Sequence, residues 1–443
     1  MFYPNDQTFG ALPTPPLRLT RAKVPMACLD PSLSAGADFE GLVAVDLTID
    51  VHGKITGVTG ISEGDIVVRE RPGEAIPTID LDGRVVTPCF AEIHAHIDKS
   101  QTWERAPNPD GSFAGAKKGA KSDREKPWRA SDVAARMNFA LESAYAHGTR
   151  SLRTHLDSQK GRTDPTWPVF SALREAWQGR LRLQAVASFG VNKIMGKYGE
   201  KVADMTARYG GIFGPVIYVS DSVEREVERA FDLAQDHGLA LDFHVDETLD
   251  PHANGLEIIA RAAIRRQFSG PIVCGHNCAL SRKSPRRLSE IFAVVREAGI
   301  TLAGLPMTNL YLQDRDTQTG PTWRGMMPIG AARAAGVLCA AGGDNCRDAF
   351  HPYGDYDMAE IAREAIRVGH LDQPPGAHMD LVTHAPEKMM GIDDSGPLAE
   401  GSVADLVLFS GRSLSQVFAR LGAPRRILRA GHVVSTPLPA FSC

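Results

Sequence analysis

The residues best suited to chemistry in this 443-residue chain are histidines and carboxylates that end short apolar runs. His94 and His96 close the run VVTPCFAEIH as His-Ala-His. Alternate residues of a strand point to one side, so both imidazoles can aim at the same point. FHVDE ends another run with His244 and, just beyond it, Glu247; IVCGH ends in His276 and VLCAAGGD in Asp344. A single histidine is more often a satisfied core or loop residue than a ligand. Four histidines and an aspartate at the same end of separate runs are another matter, and they read as a site for a divalent ion. Three imidazoles and one carboxylate suit Zn²⁺ or Fe²⁺ with a position left for water, whose pKa such an ion brings from about 15.7 toward 7. The run VIYVS holds no lysine or glutamate that could bridge two ions, so one metal is expected.

The elements that must position these residues are legible as a rhythm. Apolar runs at 85–94, 151–155, 181–188, 213–220, 239–245, 271–276, 300–306 and 336–344 are each followed by a helix-like segment. They are continuous rather than alternating, as in strands buried on both faces. Eight such strands joined by helices close into a (β/α)₈ TIM-type barrel, whose C-terminal rim is where the polar residues fall. An open doubly wound sheet is the alternative that the pattern alone allows. DSVEREVERAFDLAQDHG predicts one of the helices, with Asp221 as cap, Glu224 three residues on and Gly238 as terminator.

Both flanks are β-rich. GLVAVDLTIDVHGKITGVTG alternates around a turn at His52 and Gly53, and strand-like runs resume after residue 402. The expected organisation is α/β, with residues 1–85 and 392–443 forming a small β-sandwich from both termini around a barrel at 86–391. Pro13, Pro15 and Pro16 point to an extended arm. An insertion from Lys99 to Pro127 precedes a helix at about 131–147; its tip, NPDGSFAGAKKGAKSDREK, reads as a mobile charged loop or a lid over the site.

Composition narrows the function. A net charge of −4, from 49 basic and 53 acidic residues, provides no broad positive field for nucleic acid or anionic membrane. No run approaches the roughly 18 apolar residues of a membrane span, and the N-terminus lacks the apolar stretch of a secretory leader, so a cytoplasmic protein is expected. The odd number of cysteines, 7, scattered beside apolar segments, suits reduced buried thiols. Cys274 and Cys278 flank a histidine, but no second such pair completes a structural zinc site.

Taken in order, EIHAHIDKS, SLRTHLDS, LDFHVDET, the GH of VCGHNCAL, LPMTNLYLQDR with the following GPTWRG, and GGDNCRDAFHPYGDYDM form a set that resembles the amidohydrolase superfamily. The likeness is closest to bacterial cytosine deaminases and the aminohydrolases of N-substituted triazines, and it runs through nearly the whole chain. It implies that His94, His96 and His244 are metal ligands and that Asp344 contacts the metal and helps take a proton from water. It further implies that Glu247 protonates a ring nitrogen and then the leaving amine, while His276 polarises the attacking oxygen. Asp98, Lys99, His155 and Asp157 fall near the same rim and suit hydrogen-bonded support of the ligands. Asn309, Gln313, Trp323, Asn345 and Asp348 are candidates for substrate contact or for structure.

Two departures bear on the substrate. The glutamine that cytosine deaminases of this type carry after the third strand is replaced by the stretch Ser188 to Asn192, and Asp344 is followed by Asn345, as in the triazine enzymes. A site that hydrogen-bonds one ring edge rejects rings that cannot answer, so such changes redirect specificity. The expectation is hydrolytic deamination of a cytosine-like or related small N-heterocycle with release of ammonia. The alternatives are hydrolysis of another C–N bond, on an alkylamino triazine-like ring or a cyclic amide, and a non-catalytic barrel kept for binding. A homo-oligomer is plausible for such barrels.

Overall fold

The eight apolar runs become eight parallel strands because both faces of each are covered, one by outer helices and one by the barrel interior. The computed structural model describes residues 9, 11–61, 76–124, 128–159, 163–218, 220–315 and 320–441. In chain order β1 (Leu17–Pro25), β2 (Leu42–Ile49), β3 (Ile55–Gly60), β4 (Thr78–Asp80) and β5 (Val86–Pro88) come first. The barrel strands are β6 (Phe90–Ala95), β7 (Thr149–Asp157), β8 (Arg182–Gly190), β9 (Ile212–Val216), β10 (Leu241–Val245), β11 (Ile272–His276), β12 (Thr301–Gly304) and β13 (Cys339–Ala341). Last come β14 (Leu406–Phe409), β15 (Arg425–Arg429) and β16 (His432–Val434).

The chain forms two compact units, one drawn from Met1–Ala91, Tyr145–Thr149 and His370–Cys443, the other from Glu92–Ala144 and Arg150–Gly369. In the larger, β6 to β13 are neighbours in strict sequence order. The two end strands then meet. Ala95 bridges Asp344 in parallel, the Asp344 amide donates to His94 O at 2.7 Å, and the His96 amide donates to Asp344 O at 3.1 Å. This closure excludes the open doubly wound sheet. It also means that the backbone seam of the barrel is made by three of the four expected metal ligands.

Below the rim the interior carries a buried ion pair. Arg153 Nη1 donates to Asp242 Oδ2 at 2.8 Å and Arg153 Nε to Gln184 Oε1 at 3.0 Å. Burial pushes Asp242 up to about 6 against the pull of Arg153. A charge so placed is tolerable only with its partner, and the pair fixes β7 against β10 beneath the site.

In the smaller unit the sheets run β3-β2-β1-β4 and β16-β15-β14-β5. β5, from the N-terminal half, pairs antiparallel with β14, from the C-terminal half, which is the two-ended construction expected of the sandwich. The turn between β2 and β3 needs Gly53: its φ is +72°, and a Cβ there would lie 2.1 Å from Ala430 O.

Two expectations are corrected. The insertion is not simply a loop: Phe113–Arg124 is an α-helix, α1, followed by α2 at Ala130–Ala146. Its glycines and lysines suggested a loop, yet Gly115, Ala116, Gly119 and Asp123 are buried on one helical face. Gly119 permits close approach, since a Cβ there would sit 3.0 Å from Ala349 Cβ. The end of that insertion, 125–127, lies outside the described residues, as does Cys443. Second, Asp221 does not cap the Val223–His237 helix. Ser222 is the N-cap residue, and its hydroxyl donates to Glu226 Oε1 rather than accepting from the backbone.

The six described cysteines are buried, and no disulfide joins them. Among the described residues no helix is long and apolar enough to cross a membrane.

Candidate active site and metal centre

The C-terminal ends of β6, β10, β11 and β13 bring the predicted polar residues together. His96 Nε2 lies 3.3 Å from His244 Nε2 and 3.2 Å from Asp344 Oδ1, and His94 Nε2 lies 3.6 Å from the same oxygen. His94, His96 and Asp344 form one buried group that could hold a metal, and His94, His155 and His244 form another.

The tautomer of His96 decides what this cluster can do. Its Nδ1 donates to the carbonyl of His155 at 3.0 Å, so in the neutral ring Nε2 is the atom that carries the lone pair. That lone pair faces a second imidazole and a carboxylate. Burial, followed by the neighbouring imidazoles, holds His94 and His244 well below the usual histidine range, so a proton is a poor bridge. Both nitrogens of His94, Nδ1 of His244 and both oxygens of Asp344 are buried without a hydrogen-bond partner of good geometry. Buried nitrogens and carboxylate oxygens left without partners in such a cluster fit a cation, and the nitrogen-rich donor set fits a borderline-soft divalent one.

Two further titratable groups stand against this cluster. His276 Nδ1 is 3.6 Å from Glu247 Oε1 and 4.0 Å from Asp344 Oδ2. Burial lowers His276 to about 4, which keeps it neutral. Desolvation, and then the charge of Asp344, hold the Glu247 carboxyl well above the usual range, with Lys99 and Lys117 opposing. The Asn309 amide donates to His276 Nδ1 at 2.9 Å, and Gln313 Nε2 donates to the Glu247 carbonyl at 3.4 Å. Both therefore support the site rather than line it. Replacing Asn309 with leucine removes the partner that orients His276. We expect kcat to fall about 10–100-fold with metal content unchanged, measured by steady-state kinetics beside elemental analysis.

The other expected residues divide by position. Asp98 Oδ2 accepts from the Asp157 amide at 2.7 Å, tying the end of β6 to the end of β7. The His155 ring stacks on His94 with centroids 3.7 Å apart, and its carbonyl rather than its ring supports His96. Asp348 accepts from Asn345 Nδ2 at 2.6 Å and from two backbone amides of its own loop. Trp323 is 38% exposed, lies under Arg282 at 4.1 Å, and is not among the residues that line the cavity.

That cavity, of about 310 Å³, opens over His96, His244, Glu247, His276 and Asp344. Its outer wall is made by Lys99, Asp157 and Asn345 together with residues the sequence reading did not single out: Phe113, Lys117, Gln159, Asn192, Lys193, Tyr218 and Phe350. Side-chain amides are thus present at the mouth, on Gln159 beyond β7 and Asn192 beyond β8. Glu92 was also missed. It accepts from the His94 amide at 2.8 Å and the Gly343 amide at 2.9 Å, bracing the barrel seam, and burial pushes it up to about 8.

Comparison with known proteins agrees with this architecture. A pterin deaminase of Rhizobium rhizogenes is 39% identical over 409 residues, covering 92% of this chain and 91% of the relative. An N-isopropylammelide isopropyl amidohydrolase of Pseudomonas sp. is 24% identical over 80% of this chain and 87% of its own. Among solved structures, the 5-methylcytosine deaminase of Klebsiella pneumoniae liganded with phosphonocytosine superposes with a TM-score of 0.76 at 22% identity, over 96% of this chain and 100% of that one. The profile of the amidohydrolase family matches residues 148–434, and with that match and the 39% relative the chain belongs to the amidohydrolase family.

Proposed function

We propose that this chain is a hydrolytic deaminase of an amino-substituted N-heterocycle of the pterin or cytosine kind. In this reading His94, His96, His244 and Asp344 hold one Zn²⁺ or Fe²⁺. The observation that carries the proposal is the Nε2 edge of His96 turned toward His244 and Asp344, with Glu247, a carboxyl that burial holds well above the usual range, in the same cavity, which is large enough for a small ring.

When bound, a divalent ion supplies the Lewis acidity that makes water a nucleophile at neutral pH. The remaining steps belong to side chains of this chain. As oxygen bonds to the amino-bearing carbon, Asp344 takes the proton that water loses and Glu247 gives its own to the adjacent ring nitrogen. The ionised Glu247 then relays the proton of the new hydroxyl to the amino nitrogen; the C–N bond breaks, the ring carbonyl forms, ammonia leaves, and the proton held by Asp344 passes back to Glu247. His276, neutral and wedged against both carboxyl groups, keeps them oriented and polarises the attacking oxygen. Phe113, Phe350 and Tyr218 supply apolar faces for the ring, and Gln159 and Asn192 supply amides for its edge.

The 39% identity to a pterin deaminase over nearly the whole chain favours a pterin over cytosine. The likeness to an N-isopropylammelide hydrolase favours a second reading, release of an alkylamine from a triazine-like ring. Incubation with pterin, cytosine, guanine and N-alkylamino triazines separates them. Ammonia from pterin or cytosine supports deamination; alkylamine from the triazines alone, or no release from any ring, overturns it.

A further inference from the structure

A strand points successive residues to opposite sides, and the end of β10 breaks that order. His244 lines the cavity. Val245 faces the outer layer: a Cβ on Gly255, the first residue of the Gly255–Arg266 helix, would lie 3.3 Å from Val245 Cγ1. Were the strand to continue regularly, Asp246 would turn into the cavity and Glu247 out of it. The protein does the reverse. Glu247 lines the cavity, while Asp246 sends its carboxylate outward to the same helix that Val245 faces.

The inversion is made at one residue. Asp246 has a φ of +49°, in the left-handed region that few residues with a side chain enter. Its own carboxylate holds it there. Oδ1 accepts from the Gly255 amide at 3.0 Å and Oδ2 from the Leu256 amide at 3.1 Å. These are N–H groups of a helix N-terminus, which have no partner within the helix and favour a negative charge. Gly255 permits the approach, since a Cβ on it would stand 2.8 Å from Asp246 Oδ1. Asp246 is buried, so water does not compete for these bonds.

The backbone of the same residue reaches the segment that carries His276. The Asp246 carbonyl accepts from the Thr248 amide at 2.8 Å and the Ala279 amide at 3.2 Å, and the Val245 carbonyl accepts from the Asn277 amide at 2.9 Å. The turn after β11 that these bonds fix is itself left-handed, with φ of +69° at His276 and +54° at Asn277. Asp246 thus stands where the two segments meet that bring Glu247 Oε1 within 3.6 Å of His276 Nδ1.

We infer that Asp246 is a positioning residue for the proton-transfer pair: its carboxylate, tied to the helix behind the strand, turns Glu247 into the cavity and steadies His276 beside it. The inference rests on the role proposed for Glu247 and adds the group that places it. No proton passes through Asp246, because both of its oxygens are occupied by backbone amides.

The test uses the metal-loaded enzyme. Asp246→Ala should lower kcat by about 10–100-fold, the range for loss of a supporting partner, with metal content unchanged. D246N keeps one acceptor but sets an NH₂ group against an amide N–H, and should lower kcat less. A cycle with E247Q separates positioning from a general loss of stability, because residues that act as a unit are not additive. Once Glu247 cannot transfer a proton its placement no longer matters, so D246A/E247Q should turn over within about twofold of E247Q alone. A kcat for D246A within about twofold of wild type, or an equal loss in the E247Q background, overturns the inference. Should D246A fail to fold, D246N and D246N/E247Q are read in the same way. A second arm needs no turnover: in a crystal structure of the variant the Glu247 carboxyl should have left its place beside His276 Nδ1, and an unmoved carboxyl overturns the inference. If the wild type deaminates no ring, the deaminase reading falls, and the crystal structure still decides for or against Asp246.

Discussion

Replacing Glu247 with glutamine should lower kcat by about 10²–10⁴-fold, the range that a positioned proton-transfer group contributes, and leave the divalent ion in place. Glutamine keeps the size and the hydrogen-bonding reach of the side chain but cannot release a proton. The carboxyl suits this task because desolvation and the nearby Asp344 charge keep it protonated where an ordinary glutamate would be ionised. Its Oε1 lies 3.6 Å from His276 Nδ1, and Gln313 steadies its backbone. Because Glu247 lies outside both potential metal-binding groups, elemental analysis should return the same metal content for variant and wild type. Binding of the deaminated ring should also persist. Turnover within about threefold of wild type, in a variant with full metal content, would remove Glu247 from the proton path, since general acid catalysis cannot be worth so little at a true transfer site.

How much of this was legible in the sequence depends on how local the determinants are. The residues proposed as ligands were readable as rim residues because barrel chemistry sits at strand ends, so a polar residue closing an apolar run marks both its strand and its place on the rim. His94, His96, His244 and Asp344 each announce themselves in that way. Glu92 did not: a lone acid inside FAEIHA looks like an interruption of a core strand. Its purpose appears only across the seam, where Gly342 and Gly343 admit it and a Cβ on either would lie 2.9 or 2.8 Å from its oxygens. The outer wall of the cavity was illegible for a similar reason. Phe113, Gln159, Asn192 and Phe350 come from segments beyond different strands, and nothing in their own neighbourhoods says that they converge. The Gly- and Lys-rich composition around α1 concealed a helix whose buried face is made of small residues, so hydrophobic periodicity could not reveal it. Asp221 failed as a cap because the chain entered its helix one residue later, a shift too small for composition to resolve.

The largest effect should follow removal of the ion. Dialysis against a chelator should abolish turnover, and adding back Zn²⁺ or Fe²⁺ should restore it, with about one equivalent per chain by elemental analysis at full activity. The reason lies in the protonation pattern of the cluster. His96 Nδ1 donates to the His155 carbonyl, and burial disfavours charging His94 or His244. Without a cation, imidazole nitrogens and a carboxylate therefore face one another in a largely buried cluster at the cavity floor. That repulsion should also register in stability, a readout independent of catalysis. An ion present at a thousandfold over its Kd stabilises the native state by about 4 kcal/mol, so the chelated protein should melt several degrees lower and recover on reloading. His244→Ala, which removes one donor, should weaken retention of the ion and reproduce much of the chelated behaviour. Full activity in chelated protein shown by elemental analysis to be metal-free would leave the convergence of His94, His96, His244 and Asp344 without a chemical purpose. In that outcome the nucleophile would have to be activated by Glu247 and Asp344 alone, a task for which a protonated glutamic acid is the wrong form.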